Sequence, residues 1–355
     1  KTIRVAGCGG RIPHSQATLY AANSGTTMRF LTALAALGQG QFRLEGTPRM
    51  HERPIGDLLH ALMELGVVSS ASKTCCPPVA VMTRGLRGGT ATIRGELSSQ
   101  YLSALLMVAP YAASPVELVV EGPLVSQPYV RMTLAVMEAF GVKTPATNLA
   151  RLSIPQGRYV GRAYAIEPDA SAASYFFAAA AITGGRVVVE GLSQNALQGD
   201  VAFCGCLEQM GCTVQYGDNE IAVAGGPLRG IAADMNAISD TAQTLAVVAL
   251  FADGPTTIRN VAHIRQKETD RIGNLAIELR KLGAGVGELH DGLSIVPRPL
   301  CGATIDTYDD HRMAMSFTLA GLRVPGVVIN NPSCTAKTYP DFFDDLARLT
   351  ASARA

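Results

Sequence analysis

Residues 23–38 read NSGTTMRFLTALAALG, in which a polar, glycine-containing turn leads directly into an apolar run that predicts a buried helix. A helix N-terminus is a natural anion site, because its free backbone N–H groups and its dipole both favour negative charge. The same dipole disfavours a cation, so Arg29, in the first turn of the predicted helix, indicates an anionic ligand there. The stretch lacks the G-x-x-x-x-G-K-[ST] spacing of a nucleotide-binding phosphate loop, which excludes that class of site.

The turn-then-helix pattern of residues 23–38 recurs along the chain. The stretches lie 75, 70, 71 and 69 residues apart and begin at Asn23, Ser98, Pro168, Ser239 and Tyr308. A β-branched run follows each apolar helix, as in FRLEG and RVVVEG, and predicts a strand. Short strand pairs are predicted between one repeat and the next, for example at ATIRGE (91–96) and YAIEPD (164–169). This regular spacing indicates an internal repeat of one supersecondary unit.

Each full repeat also contains a second helix with a different character. RPIGDLLHALMELGV and DRIGNLAIELRKLGAGV are amphipathic and end at glycine, as an αL C-cap would. Buried helices covered by strands and outer helices predict an α/β fold with two domains, at residues 1–165 and 166–355. The first domain would hold two units and the second three, so a symmetrical arrangement predicts a sixth unit before Lys1.

Composition narrows the class of protein. The 355 residues carry 30 basic and 29 acidic side chains, and a net charge of +1 indicates neither a nucleic-acid partner nor a membrane surface. The apolar stretches have helix length and are interrupted by Ser, Thr or Gly, so no transmembrane span and no signal peptide is predicted. The eight cysteines show no paired C-x-x-C spacing, which indicates free thiols in a cytoplasmic protein.

Charged residues gather at the turns of the repeat. They occupy TPRMHERPIG (47–56), HIRQKETDRIG (263–273), YDDHRM (308–313) and SCTAKTYP (333–340). One such cluster is most often a solvated helix start. Clusters at equivalent edges of a repeat favour a site where arginines and lysines bind phosphate or carboxylate groups and carboxylates move protons. No histidine, cysteine or carboxylate spacing predicts a metal site.

Several strings match a known family, in the family's order, from about Gly7 to Arg348. They are NSGTTMR, PRMHERPIG, SSQYLSALLMVAP, LVSQPYV, DASAASYFFAAAAI, SDTAQT, KETDR, DDHRMAM and CTAKTYPDFF. Each string is several residues long, so the match is specific. Together they resemble the 5-enolpyruvylshikimate-3-phosphate synthases, in particular the glyphosate-sensitive type.

The resemblance implies a two-domain inside-out α/β barrel of six βαβαββ units, five of which are visible in this sequence. It implies transfer of the enolpyruvyl group of phosphoenolpyruvate to the 5-hydroxyl of shikimate 3-phosphate, with release of phosphate. This is a cytoplasmic step of the shikimate pathway and of aromatic amino acid biosynthesis, and it is the target of glyphosate. No metal and no organic cofactor is expected, and the complete enzyme is expected to be a monomer.

The resemblance also assigns site residues. The shikimate 3-phosphate contacts would be Ser98, Ser99, Gln100, Ser126, Tyr129, Asp240, His263 and Lys267. The phosphoenolpyruvate contacts would be Asn23, Gly25, Thr26, Arg29, Arg53, Gln100, Arg271, Arg312 and Lys337. Asp240, Glu268 and Lys337 would be catalytic, with Asp240 accepting the 5-hydroxyl proton and Glu268 protonating the methylene carbon of phosphoenolpyruvate.

Two departures from the family pattern bear on activity. The family's N-terminal lysine-serine stretch, which supplies a lysine and an arginine to the active site, has no counterpart before Asn23. We therefore expect these residues alone to be poorly active unless a separate N-terminal fragment completes the fold. Phe30 stands where the family has proline, so we expect the loop at Gly25 to shift, and sensitivity to glyphosate stays open.

Two other functions remain alternatives. One is the UDP-N-acetylglucosamine enolpyruvyl transferase, which shares the fold, although the SSQ, KETDR and CTAKTYP strings argue against it. The other is a non-catalytic remnant that keeps the anion site, although Asp240, Glu268 and Lys337 are all present.

Overall fold

The computed structural model of the protein describes residues 2–146 and 148–352. The chain divides into two compact units, here called unit 1 and unit 2, with the boundary between Ala165 and Ile166. How the repeats are shared between the two units stays a prediction.

Unit 1 alternates helices and strands in the order that the repeat predicts. Its helices are α1 (Gly25–Ala35), α2 (Gly56–Glu64), α3 (Ser99–Val108) and α4 (Gln127–Ala139). Its strands are β1 (Gln16–Tyr20), β2 (Gln39–Glu45), β3 (Val68–Ser70), β4 (Val79–Arg84), β5 (Gly89–Arg94), β6 (Val116–Glu121) and β7 (Arg151–Ile154). They form two sheets, ordered β1-β2-β4-β3 and β5-β6-β7.

Unit 2 continues the alternation. Its helices are α5 (Ala170–Thr183), α6 (Phe203–Met210), α7 (Ala242–Val248), α8 (Arg271–Lys281), α9 (His311–Ala320) and α10 (Phe342–Ser352). Its strands are β8 (Arg186–Glu190), β9 (Thr213–Tyr216), β10 (Glu220–Ala224), β11 (Ala232–Asp234), β12 (Thr256–Arg259), β13 (Gly285–Leu289), β14 (Gly292–Val296), β15 (Thr304–Ile305) and β16 (Val328–Ile329). The sheets are ordered β8-β10-β9, β11-β12-β14-β13 and β15-β16.

The repeat is visible in the pairing of the strands. The pairs β1–β2, β5–β6, β11–β12 and β15–β16 are parallel, and each encloses one of the buried helices α1, α3, α7 and α9. A parallel pair needs such a crossover helix. The hairpins β9–β10 and β13–β14 then add antiparallel strands beside β8 and β12. One repeat is therefore βαβαββ. The α/β class predicted from the sequence is confirmed.

The predicted helix boundaries are also confirmed. Polar side chains cap the apolar helices: Ser24 accepts from the backbone N–H of Thr27, and Asp169 from that of Ala172. The amphipathic helices α2 and α8 end just before Gly66 and Gly283, which have φ of 89° and 99°. That left-handed conformation suits glycine because it has no Cβ.

The repeat gives unit 2 a buried centre with local threefold character. Helices α5, α7 and α9 pack against one another. Ser174, Thr244 and Ser316, one from each helix, meet there with Oγ–Oγ1 distances of 3.3 and 3.4 Å. All three are buried, so each hydroxyl needs a partner, and the neighbouring repeats supply it.

One predicted strand does not form. YAIEPD, residues 164–169, lies in a segment, 155–169, without regular structure. Two of its side chains have other contacts. The Tyr164 ring packs on Phe140, and the Glu167 carboxylate accepts hydrogen bonds from the backbone N–H groups of Leu197 and Gln198. A strand needs a neighbouring strand for its backbone groups, and that partner is decided by the tertiary structure.

Across the described ranges, no helix has both the length and the apolar character needed to cross a lipid bilayer.

We predict that Gly292→Ala destabilises the protein. Gly292 starts β14, and a Cβ there would come within 3.0 Å of the Ile258 carbonyl group on the neighbouring strand. The backbones must separate to admit it, at a cost of about 1–3 kcal/mol in unfolding free energy. Urea denaturation measures this cost.

Gly287→Ala is the matched control on the adjacent strand β13, because the nearest atom to its Cβ would be 3.7 Å away. Equal stability of the two variants would show that close backbone approach at Gly292 is unimportant.

Candidate active site

The predicted site residues of unit 1 lie at the starts of helices. Asn23, Gly25, Thr26 and Arg29 surround the start of α1, and Ser98, Ser99 and Gln100 begin α3. Ser126 and Tyr129 begin α4, with Ser126 in a left-handed conformation (φ 53°) at the N-cap position. Arg53 follows a 3₁₀ turn, Pro48–Glu52. Helix starts expose backbone N–H groups, so these positions suit anion binding.

Arg29 joins the starts of α1 and α3. It is the fifth residue of α1, in the second turn and not the first as the sequence suggested. Its Nη1 donates to Gln100 Oε1 at 2.6 Å, and Gln100 Nε2 donates to Thr26 Oγ1 at 2.9 Å. A long side chain on a helix points back toward the N-terminus, which is why Arg29 still reaches the helix start. Phe30, next along, packs against the core of unit 1.

Arg53 is the buried member of TPRMHERPIG. It is 3% exposed, and its Nη1 donates to the Asn23 backbone oxygen at 3.1 Å. A Cβ at Gly25 would come within 3.0 Å of the Arg53 guanidinium and 3.1 Å from Arg29 Nη1. Both guanidinium groups therefore lie against Gly25, where glycine leaves them room. Arg49 and Glu52 instead form a surface pair at 2.6 Å.

The predicted site residues of unit 2 also lie beside helix starts. Asp240 lies in the 3₁₀ turn Asn236–Thr241 before α7, and His263 in the turn Ala262–Gln266. Lys267 and Glu268 lead into α8, which Arg271 begins. Arg312 is the second residue of α9, and Lys337 ends the turn Pro332–Lys337. The structure brings the charged members of this set into one network.

Asp240 contacts three cations. Its Oδ2 accepts from Arg312 Nη2 at 2.8 Å, and its Oδ1 accepts from Arg271 Nη1 at 3.2 Å and Lys267 Nζ at 3.3 Å. Burial by itself raises the pKa of Asp240, but the charges of Arg312, Lys267 and Arg271 outweigh it and hold the pKa well below its ordinary value. Asp240 is therefore an ionised carboxylate at neutral pH.

Glu268 lies between two other cations. Its Oε1 accepts from Lys337 Nζ at 2.6 Å, and its Oε2 accepts from Arg271 Nη2 at 2.8 Å. Only 8% of Glu268 is exposed. The guanidinium group of Arg271 thus links Glu268 to Asp240. Lys337 joins the same chain of contacts through Glu268. Such a chain of hydrogen bonds can bind an anion and can move protons.

Burial shifts the pKa values of two further basic groups, Lys267 and His263. It lowers the pKa of Lys267, which the Asp240 charge partly restores. Burial, with the charge of Lys267, lowers the pKa of His263 to about 4, so this histidine is neutral at physiological pH. Its Nε2 lies 3.0 Å from Ser239 Oγ. A neutral imidazole suits a hydrogen bond to a hydroxyl group better than an ionic contact.

Asp310 belongs to the same charge network, although no role was predicted for it from the sequence. It is fully buried, it caps α9 through the backbone N–H of Arg312, and it holds Arg271 by two bonds, Nε to Oδ2 at 2.7 Å and Nη2 to Oδ1 at 3.2 Å. Nothing in the string DDHRM distinguishes it from Asp309, which is exposed. A capping pattern was the available signal, since Asp precedes the apolar helix.

Two more polar residues contact Arg312, and neither was predicted. Its Nη2 donates to Ser171 Oγ at 3.5 Å and its Nη1 to the Tyr175 hydroxyl at 3.4 Å. Ser171 in turn donates to the buried carboxylate of Asp200. Ser171 and Asp200 are 29 positions apart, so no local pattern indicated this contact.

Glu278 anchors the turn before α9. It is fully buried, and it accepts from the Tyr308 hydroxyl at 2.7 Å and from the backbone N–H of Asp306 at 3.0 Å. Tyr308 and Asp309 both have a left-handed backbone, with φ of 54° and 57°. Such conformations are strained outside glycine and persist only where contacts hold them. Glu278 supplies such contacts, so it helps to position Arg312.

The described part of the chain contains no cluster of side chains that could serve as metal ligands. Across residues 2–146 and 148–352, no group of three or more histidine, cysteine or carboxylate side chains is arranged to hold an ion. The eight cysteines are free thiols.

Comparison with known proteins gives one consistent family. The family model described as EPSP synthase (3-phosphoshikimate 1-carboxyvinyltransferase) matches residues 1–346. A 3-phosphoshikimate 1-carboxyvinyltransferase of Nostoc punctiforme is 51% identical over 344 residues, which cover 96% of this chain and 81% of the relative. The protein of the same name from Nitrosomonas europaea is 49% identical over 357 residues, covering 98% of this chain and 82% of the relative.

Solved structures agree with this result. An EPSP synthase from Acinetobacter baumannii superposes with a TM-score of 0.74 and 27% sequence identity. The match covers 93% of this chain and 78% of that one.

We predict that His263 makes stability fall in acid. Its pKa is about 4 when folded, against about 6.5 when unfolded, so the unfolded chain binds more protons between these values. Above pH 6.5, His263 therefore does not lower the unfolding free energy. As pH falls from 6.5 toward 4, the unfolding free energy decreases by at most ~1.4 kcal/mol per pH unit for this one histidine. His263→Gln should flatten this slope in urea denaturation between pH 7.5 and pH 5.

His290→Gln is the control, because it replaces an exposed histidine on the same unit. His311, whose pKa burial lowers to about 3, keeps part of the slope in both variants. A wild-type slope in His263→Gln would contradict the neutral state of this half-buried residue.

Proposed function

This chain belongs to the EPSP synthase family, and we propose that it transfers the enolpyruvyl group of phosphoenolpyruvate to the 5-hydroxyl of shikimate 3-phosphate. The products are 5-enolpyruvylshikimate 3-phosphate and inorganic phosphate. The observation that carries the proposal is the charge network of unit 2. It contains four cations and three carboxylates, namely Lys267, Arg271, Arg312, Lys337, Asp240, Glu268 and Asp310.

The network has the composition that this reaction requires. Phosphoenolpyruvate carries a carboxylate and a phosphate, both of which match the planar fork of an arginine. Arg271, which is buried, and Arg312, which is partly buried, are both held by carboxylates, so little side-chain entropy is lost when they bind. An excess of one positive charge over the carboxylates favours an anionic ligand.

The addition step needs one proton acceptor and one proton donor. The 5-hydroxyl oxygen forms a bond to C2 of phosphoenolpyruvate, and its proton passes to the carboxylate of Asp240. C3, the methylene carbon, takes a proton from the carboxyl group of Glu268. Lys337, whose ammonium group lies 2.6 Å from Glu268 Oε1, stabilises the Glu268 carboxylate until it recovers the proton in the next step.

The elimination step reverses the proton transfer at carbon. C3 gives up a proton to Glu268, the C2–C3 double bond re-forms, and the bond from C2 to the phosphate oxygen breaks. Phosphate leaves with the electron pair of that bond and takes the proton that Asp240 accepted, which restores the Asp240 carboxylate. The arginines stabilise the charge of the leaving phosphate. One carboxyl group thus serves both steps, as donor and then as acceptor.

Substrate binding would tune Asp240 for its task. The charges of Arg312, Lys267 and Arg271 hold its pKa low, which makes it a weak base. An anion that engages Arg312 and Lys267 reduces their effect on Asp240, so the pKa rises toward the range of a useful general base. The base would therefore be activated when the anionic substrates are in place.

The helix starts of unit 1 would supply substrate contacts. We propose that Ser98, Ser99, Gln100, Ser126 and Tyr129 bind shikimate 3-phosphate, and that Asn23, Gly25, Thr26, Arg29 and Arg53 bind phosphoenolpyruvate. Free N–H groups at the start of a helix and side-chain hydroxyls suit a phosphate group and ring hydroxyls.

We also propose that the protein is cytoplasmic, and its free cysteine thiols support this location.

Phosphorus NMR with two acceptors tests the reaction. The protein is mixed with phosphoenolpyruvate and either shikimate 3-phosphate or UDP-N-acetylglucosamine. Equimolar phosphate and enolpyruvyl ether are expected with shikimate 3-phosphate alone. Turnover with the nucleotide sugar would overturn the proposed function in favour of the related transferase. Binding of both substrates without any turnover, even after a separate N-terminal fragment is added, would overturn it in favour of a non-catalytic anion-binding protein.

We predict that Glu268→Gln lowers kcat by about 10²–10⁴-fold, because the amide cannot donate and recover the proton at C3. The substitution keeps an oxygen acceptor for Lys337, so KM should change far less. Initial rates of phosphate release measure both constants.

The control is Glu138→Gln, which removes the carboxylate from an exposed pair with Lys143 at 3.0 Å. A surface pair of this kind contributes little, so its kcat should stay near that of the wild type. An unchanged kcat in Glu268→Gln would refute the acid role.

A further inference from the structure

Tyr101 is a buried residue that the proposed reaction does not use. It lies on α3 directly after Gln100, and its side chain is fully buried. Its hydroxyl donates to the backbone oxygen of Pro54 at 2.5 Å. Burial raises the pKa of Tyr101, although the charge of Arg29 opposes the shift, so the group stays a neutral donor.

The ring of Tyr101 supports Arg29. The guanidinium carbon of Arg29 lies 5.1 Å from the ring centroid, within the range of a cation–π contact. The electron-rich face of the ring attracts the cation without neutralising it. Such a contact sets the plane of the guanidinium group and leaves its charge available.

Arg29 is held by neutral groups. Besides the ring, it donates to Gln100 Oε1 at 2.6 Å and to the Pro54 oxygen at 3.5 Å. Within residues 2–146 and 148–352, it has no salt bridge. Arg29 is only 6% exposed, so its charge is desolvated without a neighbouring carboxylate. A buried cation in such surroundings favours an anionic ligand.

The hydroxyl of Tyr101 reaches the segment that carries Arg53. Pro54 follows Arg53 directly, and its backbone oxygen accepts from both Tyr101 and Arg29. Arg53 in turn bonds the backbone of Asn23, at the start of α1. Tyr101 therefore contacts the side chain of one arginine and the backbone next to the other.

We propose that Tyr101 is a positioning residue that orients Arg29 and Arg53 toward phosphoenolpyruvate in the proposed reaction. Its ring fixes the plane of Arg29, and its hydroxyl fixes the backbone beside Arg53. This role rests on the proposed function, because it assumes that the two arginines bind that substrate. Both arginines need a fixed geometry, since a fork that matches a phosphate or carboxylate loses bonds when it tilts.

The test compares two tyrosine hydroxyls of unit 1. Tyr101→Phe keeps the ring and removes the bond to Pro54. Tyr159→Phe is the matched control, because the Tyr159 hydroxyl also donates to a backbone oxygen, that of Met107, at 3.0 Å. Tyr101→Leu removes the ring face as well. Steady-state kinetics give KM for each substrate, calorimetry gives phosphoenolpyruvate binding, and thermal denaturation gives Tm.

Tyr101→Phe should raise KM for phosphoenolpyruvate about 3- to 10-fold, the effect of losing one hydrogen bond, with KM for shikimate 3-phosphate unchanged within about twofold. Tyr101→Leu should raise it further because the cation–π contact is also lost. Tyr159→Phe should leave both constants near the wild-type values.

Three results would overturn the inference alone: equal kinetics for Tyr101→Phe and Tyr159→Phe, a parallel rise in both KM values, or a lower Tm with unchanged KM. Each would assign Tyr101 a structural role only. A wild-type protein that neither binds nor turns over phosphoenolpyruvate would overturn the proposed function, and this inference with it.

Discussion

The buried guanidinium of Arg271 is the contact on which the chemistry of unit 2 depends. It is 1% exposed and bonds three carboxylates, those of Asp310, Glu268 and Asp240. These partners stand before or at the starts of α9, α8 and α7, so one side chain joins three helix starts in two consecutive repeats. Burying a cation is costly unless its donors are satisfied, and losing one partner would leave an uncompensated charge at a cost of about 3–5 kcal/mol. The helix starts are held together by the same bonds that arrange the charges.

The arginines of the two units have different kinds of partners. In unit 2 the cations share carboxylates, so the site can move protons as well as bind anions. In unit 1, Arg29 is held by an amide oxygen, a backbone oxygen and an aromatic ring, none of which can exchange a proton at neutral pH. The helix dipole adds positive potential at every one of these helix starts, and it explains why an anion suits both. The proposed proton transfer therefore belongs to unit 2, where the partners of the cations are carboxylates.

Much of the fold and part of the site could be predicted, because the relevant signals are local. The period of about 70 residues, the polar caps of α1 and α5, and the glycines after α2 and α8 each depend on residues within a few positions of one another. Other features were missed because they depend on distant partners. Asp310 meets Arg271 across 39 positions, Tyr101 meets Pro54 across 47, and Tyr308 meets Glu278 across 30. The predicted strand at 164–169 failed for the same reason, since pairing needs a neighbour that local propensity does not provide.

By itself, the sequence determined the repeat, the alternation of buried and amphipathic helices, the helix boundaries and the residue types gathered at the helix starts. Hydrophobic periodicity and capping act over one or two turns of chain, so they can be read without coordinates. Only the tertiary structure decided which charges meet: that Asp240 is shared by Arg312, Lys267 and Arg271, and that a tyrosine supports Arg29. The strength and the pKa effect of a charge contact depend on distance and burial, and both are set only when repeats some 70 residues apart pack together.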